Sequence, residues 1–101
     1  MHNIDEFTKS KPVVIYMKGS PDFPQCGFSA QTVNVLRACG VTDEDLAAFD
    51  VLSDEVVRQG IKEFTNWPTI PQVFVKGQFV GGCDIVCEMA ERGELAKLLK
   101  N

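Results

Sequence analysis

The stretch Val13–Met17 reads VVIYM, five apolar residues in succession with no polar alternation. A strand of that kind offers no face to water, so it needs a layer packed on each side. That demand places the chain among α/β folds, in which helices cover a sheet. The rest of the sequence supplies helices and strands in alternation. Ile4 and Phe7, spaced i, i+3, predict a short amphipathic helix over residues 3–9. GSPDFPQ (19–25) is a loop punctuated by Pro21 and Pro24. A helix is predicted from about Gly27 to Ala38, with Phe28, Val33, Leu36 and Cys39 on its apolar stripe and Gly40 as its stop. LAAFDVL (46–52) predicts a second strand, although TDEDLAA before it also reads as a helical turn. Ser53 is the expected cap of a helix over 54–65, with Asp54 and Glu55 suited to its first turn. PQVFVKGQFVGG is a hairpin turning around Lys76-Gly77-Gln78. Asp84 onward is helical to about Arg92, Gly93 breaks it, and ELAKLLK closes the chain as a terminal turn.

The order is therefore αβαβαββα. A parallel βαβ half followed by an antiparallel hairpin is the thioredoxin-like arrangement, a four-stranded mixed sheet flanked by helices. At 101 residues the chain is expected to form one domain, 1–101, around one core. Its net charge of −4 offers no general basic field, so nucleic acid is not an expected partner. No apolar run approaches the ~20 residues of a membrane span, so no membrane association is expected. The N-terminus has neither a secretory h-region nor an Arg-rich transit character. The expected location is the cytoplasm, or the mitochondrial matrix if a leader has been removed. The four cysteines, Cys26, Cys39, Cys83 and Cys87, read as thiols in a reducing compartment. Zinc is not expected, because the single histidine, His2, is terminal and Cys83-x-x-x-Cys87 lacks a second ligand pair.

The segment Gln25–Ser29 reads QCGFS and lies between a strand ending near Lys18 and the start of a helix. A thiol there faces unpaired N–H groups and the positive end of the helix dipole. With Lys18 nearby, Cys26 should ionise below the ~8.5 of a free thiol. Gly27 leaves room beside the sulfur. Ser29 occupies the second position of a C-x-x-C pair; it can donate a hydrogen bond but cannot form a disulfide. The alternative is a small buried cysteine without chemistry, which the loop and the neighbouring prolines argue against.

WPTIPQ (67–72) places two prolines at a strand entrance. Pro71 must begin the strand or lie at an edge. A cis Ile70–Pro71 bond would present the Ile70 N–H and C=O to an extended peptide; a trans turn without functional consequence is the alternative. VGGCD (80–84) combines two glycines, which admit a close ligand, with helix N–H groups that favour a carboxylate. Asp84 can cap that helix and also pair with an ammonium group; a plain helix cap is the alternative. Taken together, the three segments suit one ligand with a thiol, a peptide backbone, an amino-acid end and a second carboxylate, a description that fits glutathione. Lys18 and Arg58 are candidates for the second carboxylate. Lys62 shares a helix face with Arg58, where a solvated face is the competing reading.

MKGSPDFPQCGFSAQ, NWPTIPQVFVKGQFVGGCDI and MAERGEL together resemble the CGFS monothiol glutaredoxins of the single-domain type, from about Lys11 to Leu99. The resemblance implies a thioredoxin fold with cis-Pro71 and glutathione contacts at Lys18, Arg58, Ile70, Pro71, Cys83 and Asp84, Cys83 acting mainly through its backbone. It also implies a [2Fe–2S] cluster held in a homodimer. Cys26 of each protomer is then a metal ligand, the thiolates of two glutathiones complete the set, and the cluster is delivered to iron–sulfur recipient or assembly proteins. A cluster of this type takes four thiolates, so two chains with one suitable thiolate each need two more from elsewhere. The competing functions are a glutathione-dependent thiol–disulfide oxidoreductase of weak activity, with Cys26 as its catalytic residue, and an adaptor without chemistry. Cys87 lies outside the motif and is expected on the inner helix face as core filler. Cys39 should lie some 20 Å from Cys26 at ~1.5 Å rise per residue, too far for a disulfide.

Overall fold

The structure is a computed structural model that describes residues 1–100. Its elements run α1 (Ile4–Thr8), β1 (Val13–Met17), α2 (Gly27–Ala38), β2 (Leu46–Asp50), a 3₁₀ turn (Val51–Ser53), α3 (Glu55–Thr65), β3 (Gln72–Val75), β4 (Gln78–Gly81), α4 (Cys83–Glu91) and α5 (Glu94–Lys100). The strands lie in the order β2-β1-β3-β4. β1 pairs parallel with β2, Val13 opposite Leu46, and antiparallel with β3, Val13 opposite Val75. β3 and β4 form the antiparallel hairpin, with an irregularity between Val73 and Phe74. This is the expected thioredoxin-like sheet. β1 is interior to it, which is why all five of its residues are buried. One core layer joins Ile15, Val33, Leu36, Val73, Val86 and Leu95 beneath α2, α4 and α5. The other joins Val14, Tyr16, Ile61 and Phe74 beneath α1 and α3.

Several local expectations are corrected. β2 stops at Asp50 rather than residue 52, because the Asp50 carboxylate turns back to accept the Leu52 N–H at 2.9 Å and closes a 3₁₀ turn. Asp54, not Ser53, caps α3; its Oδ1 accepts the Val57 N–H at 3.2 Å, while the Ser53 hydroxyl donates to the Asp50 carbonyl at 2.6 Å. The inner stripe of α2 is Ser29, Thr32, Val33 and Leu36, and Phe28 points outward. α4 opens at Cys83 after Gly82, so Asp84 sits in its first turn and does not cap it. ELAKLLK forms a full helix whose Leu95 is wholly buried. Among the described residues, no helix is long and apolar enough to cross a membrane.

Candidate functional site

Cys26 is the N-cap residue of α2, in an extended conformation (φ −154°, ψ 139°) and without a side-chain cap bond. The first N–H groups of a helix have no partner within it, so they are free to donate to the sulfur. The thiol is pulled below its ordinary range, chiefly by the Ser29 backbone N–H, with smaller contributions from the Phe28 N–H, the Lys18 charge and the Ser29 hydroxyl; partial burial opposes them. Ser29 is fully buried, and its Oγ accepts the Lys18 N–H at 3.2 Å. The position that would carry a second thiol thus ties the end of β1 to the start of α2.

The loop between them is held tightly. Gln25 N–H donates to the Lys18 carbonyl at 2.8 Å, and Ser20 and Phe23 exchange backbone bonds of 3.3 and 3.1 Å. Gly19 N–H donates to Asp50 at 2.9 Å. Gly19 has φ +87°, and a Cβ there would meet the Phe23 carbonyl and come within 2.8 Å of Gln25 N, so only glycine fits. Phe23 and Phe28 are both mostly exposed, and Phe28 lines the space beside Cys26.

On the opposite wall the Ile70–Pro71 bond is cis. Gln72, wholly buried at the start of β3, holds the preceding loop. Its amide nitrogen donates to the carbonyls of Trp67 (3.0 Å) and Thr69 (3.2 Å), and its oxygen accepts from the Thr65 hydroxyl (2.8 Å). A Cβ on Gly82 would lie 3.2 Å from the Pro71 carbonyl and 3.3 Å from Trp67 Nε1, so that glycine lets α4 close against the proline loop. Gly82 ends that approach without a side-chain cap, which leaves the first N–H groups of α4 without a side-chain acceptor.

These walls enclose a cavity of about 430 Å³. Its lining brings together all seven residues singled out from the sequence: Lys18, Cys26, Arg58, Ile70, Pro71, Cys83 and Asp84. Lys62 joins them. Two cavity side chains carry buried nitrogens without partners, Arg58 Nε and Trp67 Nε1, and Arg58 Nη1 lies a loose 3.7 Å from Glu55. Such donors, with the uncapped start of α4, suit a ligand bearing carboxylates. Sequence reasoning missed Trp67, Phe28 and Ile85 in the lining and Gln72 behind it. Gln72 had a signal, being the one amide in an otherwise apolar strand. Phe28 had none, since helical periodicity assigned it inward.

Two cysteines lie apart from the lining. Cys39, the C-cap of α2, packs against the core beneath that helix. Cys87 is half-buried with its sulfur 3.9 Å from that of Cys83 and is not part of either core cluster, so the expected core-filling role is not the one it has.

The glutaredoxin family pattern matches residues 13–80. Over 98 residues the chain is 56% identical to a protein named "Monothiol glutaredoxin-5, mitochondrial" from Lachancea kluyveri, covering 97% of this chain and 68% of that one. It is 52% identical over 97 residues to the protein of the same name from Saccharomyces cerevisiae, covering 96% and 65%. The chain thus spans about two thirds of the length of these relatives. A monomeric truncated mutant of Trypanosoma brucei 1-C-Grx1, solved in solution, superposes with a TM-score of 0.84 at 47% identity, covering 96% of this chain and 86% of that one. With one thiol at the mouth of the cavity and a buried serine three residues on, the chain belongs to the glutaredoxin family, in its monothiol branch.

Proposed function

We propose that this glutaredoxin binds glutathione in the cavity and, as a pair of copies, carries a [2Fe–2S] cluster for delivery to iron–sulfur recipient or assembly proteins. The observation that carries this reading is the lone acidified thiol of Cys26, set over a cavity rich in unpaired donors, with no partner at position 29. Among the described residues no group of three or more His, Cys, Asp or Glu side chains converges on a metal position. A four-thiolate cargo therefore needs ligands from outside one chain. When bound, glutathione would supply the second thiolate of each half-site. The start of α4 would take its amino-acid carboxylate, Asp84 its ammonium, the Ile70 backbone its peptide groups, and Lys18 and Arg58 its distal carboxylate. Cys83, whose side chain is buried, would act through its N–H. The naming of relatives as mitochondrial supports a matrix location.

Anaerobic reconstitution with iron, sulfide and glutathione tests the proposal. The protein should become coloured and elute as a dimer. Cys26→Ser or omission of glutathione should abolish both changes, and Cys39→Ser should not. A protein that stays colourless while rapidly reducing glutathione mixed disulfides would instead be the oxidoreductase, which the acidified Cys26 also permits.

A further inference from the structure

Cys83 and Cys87 stand one turn apart at the start of α4, their sulfurs 3.9 Å from each other. Cys83 also lies 3.6 Å from the Gln31 oxygen. A thiol has one proton, so a chain forms in which Cys87 donates to Cys83 and Cys83 donates to Gln31. Burial, with the Cys83 contact and the nearby charges of Asp84 and Glu91, pushes the Cys87 thiol up to about 11. Residues i and i+4 on a helix keep their Cβ atoms about 5–6 Å apart, whereas a disulfide needs about 3.5–4.5 Å. The pair is too widely held to bond directly. It lies just beyond the spacing for sharing one atom: with bonds of about 2.3 Å, two sulfurs on a common centre lie roughly 3.3–3.8 Å apart for angles between a right angle and tetrahedral, against 3.9 Å here.

We propose that Cys83 and Cys87 form a second sulfur site, a two-thiol clip for trivalent arsenicals. The reaction is a condensation. Two As–O bonds break and two As–S bonds form, the two thiol protons leave with the oxygens as water, and arsenic stays trivalent. No oxidant, reductant or thiolate is required. A trivalent arsenic hydroxide is uncharged at neutral pH, so Asp84 and Glu91 near the clip do not repel it as they would repel an anionic disulfide. The 3.9 Å between the sulfurs lies close to the bridged separation, and Cys87 is accessible enough to begin the exchange.

The probe is phenylarsine oxide, read by intact-protein mass spectrometry on the full chain. Cys26→Ser/Cys39→Ser, which retains only this pair, should take up one arsenical. The adduct should survive excess glutathione and be released by 2,3-dimercaptopropanol, the behaviour of a chelate. Adding Cys87→Ser should weaken retention about 10²–10⁴-fold, the usual gain from holding two donors together. Because Cys83 is buried, the partly exposed Cys87 is the residue to replace, and circular dichroism checks the fold of each variant. Failure of the folded double variant to bind, or unchanged retention after Cys87→Ser, would overturn the clip.

Discussion

Cys26 takes its acidity from the backbone before any charged neighbour. The Ser29 N–H leads and the Lys18 charge is a lesser cause, so Lys18→Met should raise the apparent pKa only slightly, read from the pH dependence of iodoacetamide alkylation. A rise of two units or more would show that the charge dominates. The same shift has a sign in stability. The native value lies below the unfolded one, so the stabilisation is complete above the unfolded value and is lost as pH falls through the native value. The gap in denaturation midpoint between wild type and Cys26→Ser should therefore widen as pH rises through the thiol range. Ser29 contributes differently. Its hydroxyl satisfies the Lys18 N–H, and it is the residue that removes the intramolecular disulfide route.

At the level of elements, the cavity depends on how two loops are tied to the sheet. Gln72 makes three hydrogen bonds to the 65–69 segment from a position with no solvent access. Gln72→Leu keeps the strand apolar and leaves two carbonyls and a hydroxyl without that partner. The expected cost is about 1–3 kcal/mol, with weaker binding of the glutathione proposed for the cavity, both measurable by denaturation and calorimetry. A stability change without a binding change would show that the loop holds its shape unaided. The strands and main helices were legible in the sequence because their signals are local: the apolar run of β1, the glycine turn around Lys76-Gly77-Gln78, the prolines around residue 70. The ends and faces were not. Ser53 and Asp54 are both good caps, and only the competing bond from Ser53 to the Asp50 carbonyl assigns the role to Asp54. Phe28 satisfied the helical period yet sits on the rim, because the inner face there is taken by the small Ser29 and Thr32 packing close to the sheet. Five of the seven site residues lie in three short motifs that their own chemistry marks; Lys18 was singled out as a cation near the Cys26 thiol, and Arg58, on α3, depended on the ligand's charge to single it out.

Across the whole molecule, two core layers share one sheet, and the N-terminus is fastened to the second. His2 Nε2 lies 2.7 Å from the Tyr16 hydroxyl, and its ring centre lies 4.2 Å from that of Phe49 and 4.9 Å from that of Phe7, tilted against both. Burial pushes the Tyr16 phenol up, so it keeps its proton and can donate to Nε2 of the neutral imidazole tautomer that carries its own proton on Nδ1. Burial also lowers the His2 pKa; Asp54 opposes this, and the N-terminal ammonium adds to it. A histidine whose native value is depressed favours its neutral form in the fold. Its contribution is complete above the unfolded value of about 6.5 and is lost as pH falls through the native value. Protonation also turns Nε2 from acceptor to donor, so the bond must reverse, with the phenol oxygen accepting. His2→Phe preserves the aromatic packing and removes the titration, at a constant cost for the unpaired Tyr16 hydroxyl. The melting temperature of the wild type should therefore fall more steeply than that of His2→Phe between about pH 8 and pH 5. Parallel curves, offset but equal in slope, would show that the N-terminus is held by its apolar contacts alone.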